Sequence, residues 1–201
     1  MAEPTIKNGE EHFFPIIFEG NGGGQKIGKF VPFDDSSGGT IANSLIFNRA
    51  DNPYMYFNKS SITPDSDKKF TFSCWFKLGE LGSANNTGLF NSNTDGSNGG
   101  NVTRYAPLAI FYSSNTIFGY DYDSGGYNWY YAMNRVFKDT SKWYHFVIAF
   151  DTTQSTDTDR MKIYIDGEQI TSFSSITYPA LNQDLYTVMA GGYHILGLGY
   201  N

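Results

Sequence analysis

Along the chain, apolar and polar positions fall into short alternating runs rather than helical periods. The clearest is 70–78, where Phe70, Phe72, Cys74, Phe76 and Leu78 alternate with Thr71, Ser73, Trp75 and Lys77. A period of two puts the first set on one face of a strand and the second on the other. Trp75 therefore falls on the more polar face, either under a loop or in a concave ligand surface, and the loop-covered position is the commoner one for tryptophan. A second run, Trp143 to Phe150, is continuous, aromatic and β-branched between Lys142 and Asp151, as in a buried strand. After the polar loop TTQSTDTD, Met161, Ile163 and Ile165 alternate with Lys162 and Tyr164 as a half-buried strand. Asp166-Gly167 then favours a two-residue type I′ turn, since both positions need φ > 0, and that register sets Ile163 opposite Ile170.

Other segments fit the same pattern. Strands are expected at Leu45–Phe47, Tyr54–Phe57, Arg104–Tyr112, Thr116–Tyr122 and Gly125–Met133, and one more beginning at Leu185 before a glycine-spaced tail. Residues 79–100, rich in Gly, Asn, Ser and Thr, read as loop. Residues 1–40 differ from the rest: Phe13, Phe14, Ile16, Ile17 and Phe18 form one apolar run broken by Pro15, between polar and glycine-rich flanks. Forty such residues cannot enclose a core. They predict an N-terminal arm whose apolar residues either dock on a partner or fold back on the domain as an added strand.

Composition narrows the function classes. The chain has 201 residues, 15 Tyr and 17 Phe, which favours an all-β domain from about residue 41 to 201. A net charge of -6 without a basic cluster argues against nucleic acid. The single cysteine, Cys74, excludes an intrachain disulfide and sits on an apolar face as a small core residue. The first thirty residues carry no basic segment followed by an apolar one, so no signal peptide is expected, and no apolar stretch is long enough to cross a membrane.

The best candidate ligand patch is Asp121, Asp123, Tyr127, Asn128, Trp129 and Tyr130. Aromatic faces stack on the C–H surfaces of sugars while amides and carboxylates hold the hydroxyls. The same residues also fit a plain core strand with 127, 129 and 131 on one face and Tyr130 on the other. Asn91, Asn93 and Asp95 echo the spacing of a calcium loop without its terminal glutamate, against the alternative of a solvated loop, and no other cofactor is indicated. His12, His145 and His194 each stand alone, which suits hydrogen-bonded structural roles. No catalytic residues are assigned. Asp121-Tyr122-Asp123 and Asp157-Thr158-Asp159 lack the apolar setting that separates two carboxyl pKa values, and GNGGGQKIGK lacks the phosphate-loop spacing.

The strand Trp143–Phe150, its polar loop and the strand ending Asp166-Gly167-Glu168 resemble the laminin-G-like members of the concanavalin A-like jelly-roll superfamily. The wording DTTQSTDTDRMKIYIDGEQIT, with SLIFNRADNPYMYFNKSSIT and KKFTFSCWFKLGELG upstream, is similar to such domains in tailed-bacteriophage virion proteins. The resemblance, from about Ile41 onward, implies a jelly-roll β-sandwich carrying an extended N-terminal arm. It further implies a non-enzymatic virion protein, a tail fibre or associated adhesin, joined to other virion proteins through the arm and homo-oligomeric, as a trimer. A receptor-binding lectin for a cell-surface glycan and a head-decoration protein are the alternatives. Hydrolases of the superfamily carry E-x-D-x-x-E on one strand, and none of the glutamates here, at 3, 10, 11, 19, 80 and 168, begins or ends that pattern. The family's usual closing strand, F-x-G-x-[IL]-[DA]-E, is not found. Either the chain is a fragment, or that strand comes from the arm or a neighbouring subunit.

Overall fold

A computed structural model defines the fold over residues 46–47, 54–61, 63–82, 86–93, 104–111, 114–123, 125–189, 191–197 and 199–200. Phe13, Phe14, Ile16, Ile17 and Phe18 of the arm, and Asp95 of the calcium candidate, lie outside these residues. The chain divides into two compact units, Met1–Ile46 and Phe47–Asn201, and the second is described here. Its strands are β1 (Met55–Asn58), β2 (Lys69–Phe76), β3 (Asn86–Asn93), β4 (Arg104–Tyr105), β5 (Ala109–Phe111), β6 (Ile117–Asp123) and β7 (Gly126–Met133), then β8 (Tyr144–Asp151), β9 (Met161–Ile165), β10 (Glu168–Gln169), β11 (Phe173–Thr177), β12 (Tyr193–Leu196) and β13 (Gly199–Tyr200). Among the described residues no helix is long and apolar enough to cross a membrane.

Two antiparallel sheets form a sandwich. The smaller has the order β10-β9-β8-β2, and the larger runs β1-β12-β3-β4-β6-β7-β11 with β5 beside β3 and β6, and β13 beside β3. The expected meander forms β8 to β10. Asp166 (φ 56) and Gly167 (φ 83) both occupy the left-handed region, and Ile170 N donates to Ile163 O at 2.8 Å, the predicted register. On β8, Tyr144, Phe146, Ile148 and Phe150 are buried while His145, Val147 and Ala149 are half-buried. The alternation thus places one row in the core, where burying each large side chain contributes roughly 1.5–3 kcal/mol. Facing them across the sandwich are Phe90 of β3, Ile117 of β6 and Trp129, Tyr131 and Met133 of β7.

Three expectations are corrected. Asn86–Asn93, within the segment read as loop, is a strand inside the larger sheet, paired with β12 and β13 on one side and β4 and β5 on the other. Its amides and hydroxyls disfavour a strand locally, but pairing on both edges satisfies its backbone. Buried Lys59 anchors it: its ammonium donates to Ser92 Oγ at 2.8 Å and to Tyr186 O at 2.9 Å, and lies 4.5 Å from the centre of the Tyr186 ring. Leu185, read as starting a strand, opens a turn in which Val188 N and Met189 N both donate to its carbonyl. The C-terminal strand forms instead at Tyr193–Leu196, beyond Gly191 and Gly192 (φ 87 and 75). Finally, the single strand expected over 104–112 is interrupted between β4 and β5, because Pro107 has no N–H for a ladder. Its carbonyl accepts from Tyr120 N at 3.0 Å.

Candidate functional site

The aromatic segment is organised by one irregularity. Along β6 and β7, Phe118 faces Ala132, Gly119 faces Tyr131, Tyr120 faces Tyr130 and Asp121 faces Trp129, yet the next pair is Tyr122 with Tyr127. Asn128 is the extra residue of a β-bulge. Because side chains alternate strictly along a strand, one inserted residue reverses the face of everything beyond it. Trp129, Tyr131 and Met133 point into the core, whereas Tyr127, which shares their parity, joins the opposite face and is 57% exposed.

That outer face carries a cluster of rings. The Tyr127 ring centre lies 5.4 Å from that of Tyr120, 5.5 Å from Tyr122 and 5.5 Å from Tyr130. Tyr120 also stacks on Tyr130 and on Phe118. Such offset and edge-on contacts hold the rings in fixed orientations. Beside Tyr127, a shallow depression is lined by Asp123, Gly125, Gly126, Tyr127 and Asn128.

The six residues singled out from sequence therefore separate. Tyr127, Asn128 and Asp123 line the depression, and Tyr130 stands in the ring cluster. Trp129 does not: it is buried, stacked on Tyr131 and 5.0 Å from the ring centre of Phe150, so it is core rather than ligand surface. Asp121 is also fully buried, and its Oδ1 accepts from Asn128 Nδ2 at 3.3 Å across the bulge. The plain core-strand alternative holds for Trp129 and Tyr131 but fails for Tyr127, which the bulge turns outward. Sequence reasoning missed Tyr120 and Tyr122. Their alternation with Phe118 was the available signal, but only the pairing of β6 with β7 brings them to Tyr127.

Other candidates are placed as follows. Asn91 and Asn93 belong to β3 and are fully buried, so they are strand residues rather than part of a calcium loop. Among the described residues no group of three or more His, Cys, Asp or Glu is arranged to hold a metal. Burial pushes the Cys74 thiol up to about 12, which keeps it protonated and unreactive. Among the described residues no loop buries Trp75. It is 37% exposed on the outer face of the smaller sheet and lies flat on His145, with ring centres 4.8 Å apart. His145 Nε2 is 2.8 Å from Ser73 Oγ, but Asp166 takes the His145 main-chain N–H rather than its ring. No carboxylate among the described residues is thus hydrogen-bonded to that imidazole as in a nucleophile triad. Asp157 and Asp159 occupy an exposed turn, and Asp159 is paired with Lys162 at 2.9 Å.

Residues 49–194 match the family described as Concanavalin A-like lectin/glucanases superfamily, in its laminin-G-like branch. The chain belongs to this superfamily. Two solved structures of low identity are similar to parts of this laminin-G-like chain. A heptameric SAP-like pentraxin from Limulus polyphemus is 15% identical over 72% of this chain and 57% of that one, with a TM-score of 0.42. A Trypanosoma rangeli sialidase, solved with a difluorinated keto-deoxy sugar acid, is 16% identical over 66% of this chain and 18% of its own, with a TM-score of 0.37. The laminin-G-like chain thus spans less than two thirds of either structure. No curated protein matches it.

Proposed function

We propose that this laminin-G-like domain is a non-enzymatic module that binds carbohydrate on the outer face of the β6–β7 hairpin. Tyr127 supplies the stacking ring, and Asp123 and Asn128 supply hydroxyl partners in the adjoining depression. The observation carrying this reading is the bulge at Asn128, which exposes a tyrosine that alternation alone would bury, at the rim of a polar depression. A sugar needs an apolar plane beside polar groups, and that is the combination present. A hydrolytic role is less well served, because Asp121, the carboxylate next along the strand, is sequestered in the core and is not placed to act beside Asp123 as a catalytic pair. The test is a glycan array followed by calorimetry on the best ligand. Tyr127→Ala removes binding while the far-ultraviolet spectrum stays unchanged; a folded Tyr127→Ala protein that binds as well as the parent overturns the site.

The likeness of residues 151–171 to phage laminin-G-like domains supports one extension: the module is displayed on a virion, as a tail fibre or associated adhesin, with residues 1–40 as the tether. Deletion of 1–39 then abolishes association with purified particles, and unchanged association refutes the tether.

A further inference from the structure

The smaller sheet ends at β2, which pairs with β8 through eight consecutive residues without a register shift. Among the described residues nothing pairs with its other edge. Natural edge strands are blunted by proline, bulges, short length or inward charges. β2 has none of these; its one charge, Lys69, stands at its first position. Lys68 O accepts from Thr152 N, so the backbone groups of even-numbered residues turn to β8. Those of Lys69, Thr71, Ser73 and Trp75 turn to the open edge. The core is thin here as well: Phe70, Phe72 and Cys74 are only half-buried, while the matching row on β8 is fully buried.

The sequence of this edge is complementary to itself. Antiparallel pairing of two copies about a two-fold axis at Phe72 sets Thr71 opposite Ser73, Lys69 opposite Trp75 and Phe70 opposite Cys74. Outside the strand, it brings the side chain of Asp67, two residues before it and already beside Lys68, opposite Lys77, one residue after it. Hydroxyl pairs, a cation over an indole and opposite charges are all favourable cross-strand partners. Each occurs twice by symmetry, as an isologous contact requires. The half-buried Phe72 meets its own copy on the axis, and the outward groups of Thr71 and Ser73 hydrogen-bond to those of Ser73 and Thr71. We propose that β2 is the seam of a two-fold dimer of this chain, joining two smaller sheets into one continuous antiparallel sheet.

The experiment is light scattering of the full chain over a concentration series, with amide exchange followed at Thr71 and Ser73. A dimer is expected, with both amides protected. Thr71→Pro, which removes an N–H that makes no bond among the described residues, gives a monomer. Lys77→Glu weakens the dimer by up to about tenfold, as for two surface ion pairs, and adding Asp67→Lys in the same chain restores it. A monomer at all concentrations overturns the proposal, whether those amides exchange freely or are protected by the chain's own residues. A trimer overturns it as well, because antiparallel self-pairing of one edge closes at two copies.

Discussion

Tyr122 faces Tyr127 across the β6–β7 hairpin, although the neighbouring pair, Asp121 and Trp129, lies one step away on β6 and two steps away on β7. This unequal count puts two aromatic residues of one strand, of like parity, into opposite environments. Trp129→Ala, at a fully buried position, is expected to cost about 3–5 kcal/mol in denaturant unfolding. Tyr127→Ala, at an exposed one, is expected to cost well under 1 kcal/mol. Similar losses for the two would show that the bulge is absent.

Gly119 marks a close approach inside the larger sheet. A Cβ there would sit 2.5 Å from Leu108 O and 2.7 Å from the Tyr131 ring. Neither can retreat easily, because the Tyr131 hydroxyl donates to that same carbonyl. Gly119→Ala is therefore expected to lower stability by about 1–3 kcal/mol, as overpacked cores do, and thermal unfolding measures it.

His194 gives the domain a pH dependence near neutrality. Burial lowers its pKa, opposed by a hydrogen bond to Thr187 O at 2.6 Å and assisted by the positive charge of Lys59. A depressed folded-state pKa means that the unfolded chain takes the proton first, near the ordinary value of 6.5. Its contribution is thus complete above that pH and declines as pH falls through it. Urea midpoints measured between pH 7.5 and 5 should fall, and His194→Gln should flatten that decline.

A separate loss appears at lower pH. Partial burial raises the Asp166 pKa, but Lys142, the His145 N–H and Arg135 outweigh it and hold the carboxyl below its ordinary 3.8. The unfolded state again protonates first, so the stability from Asp166 is present above about pH 4 and lost below it. Asp166→Asn, which tolerates the left-handed turn position, should reduce the dependence in that acid range, which Asp67, Asp139 and Asp151 share through their own lowered pKa values, and leave the His194 range intact.

Cys74 should resist thiol reagents. Burial pushes its pKa up to about 12, so almost no thiolate exists near neutrality. Ellman's reagent is expected to label it only in denaturant; rapid labelling of the native protein would contradict its half-buried position against the core.

What the linear order determined is what local chemistry controls. Period-two alternation settled the faces of β2 and β9, the continuous run settled β8, and Asp166-Gly167 settled the turn and its register, because in each case the preference lies within a few residues. The same alternation and the aromatic composition were enough for an all-β sandwich. Tertiary structure decided the rest, through partners distant along the chain. β3 is a strand because flanking strands pair with both its edges, which its own Asn, Ser and Thr do not indicate. Lys59 is buried because Ser92 and Tyr186, 33 and 127 residues away, accept its hydrogen bonds. The candidate site depended on a single inserted residue: only the pairing of β6 with β7 reveals that Asn128 is unmatched. Since side-chain direction alternates at every residue, that one mismatch separates Tyr127 on the surface from Trp129 in the core.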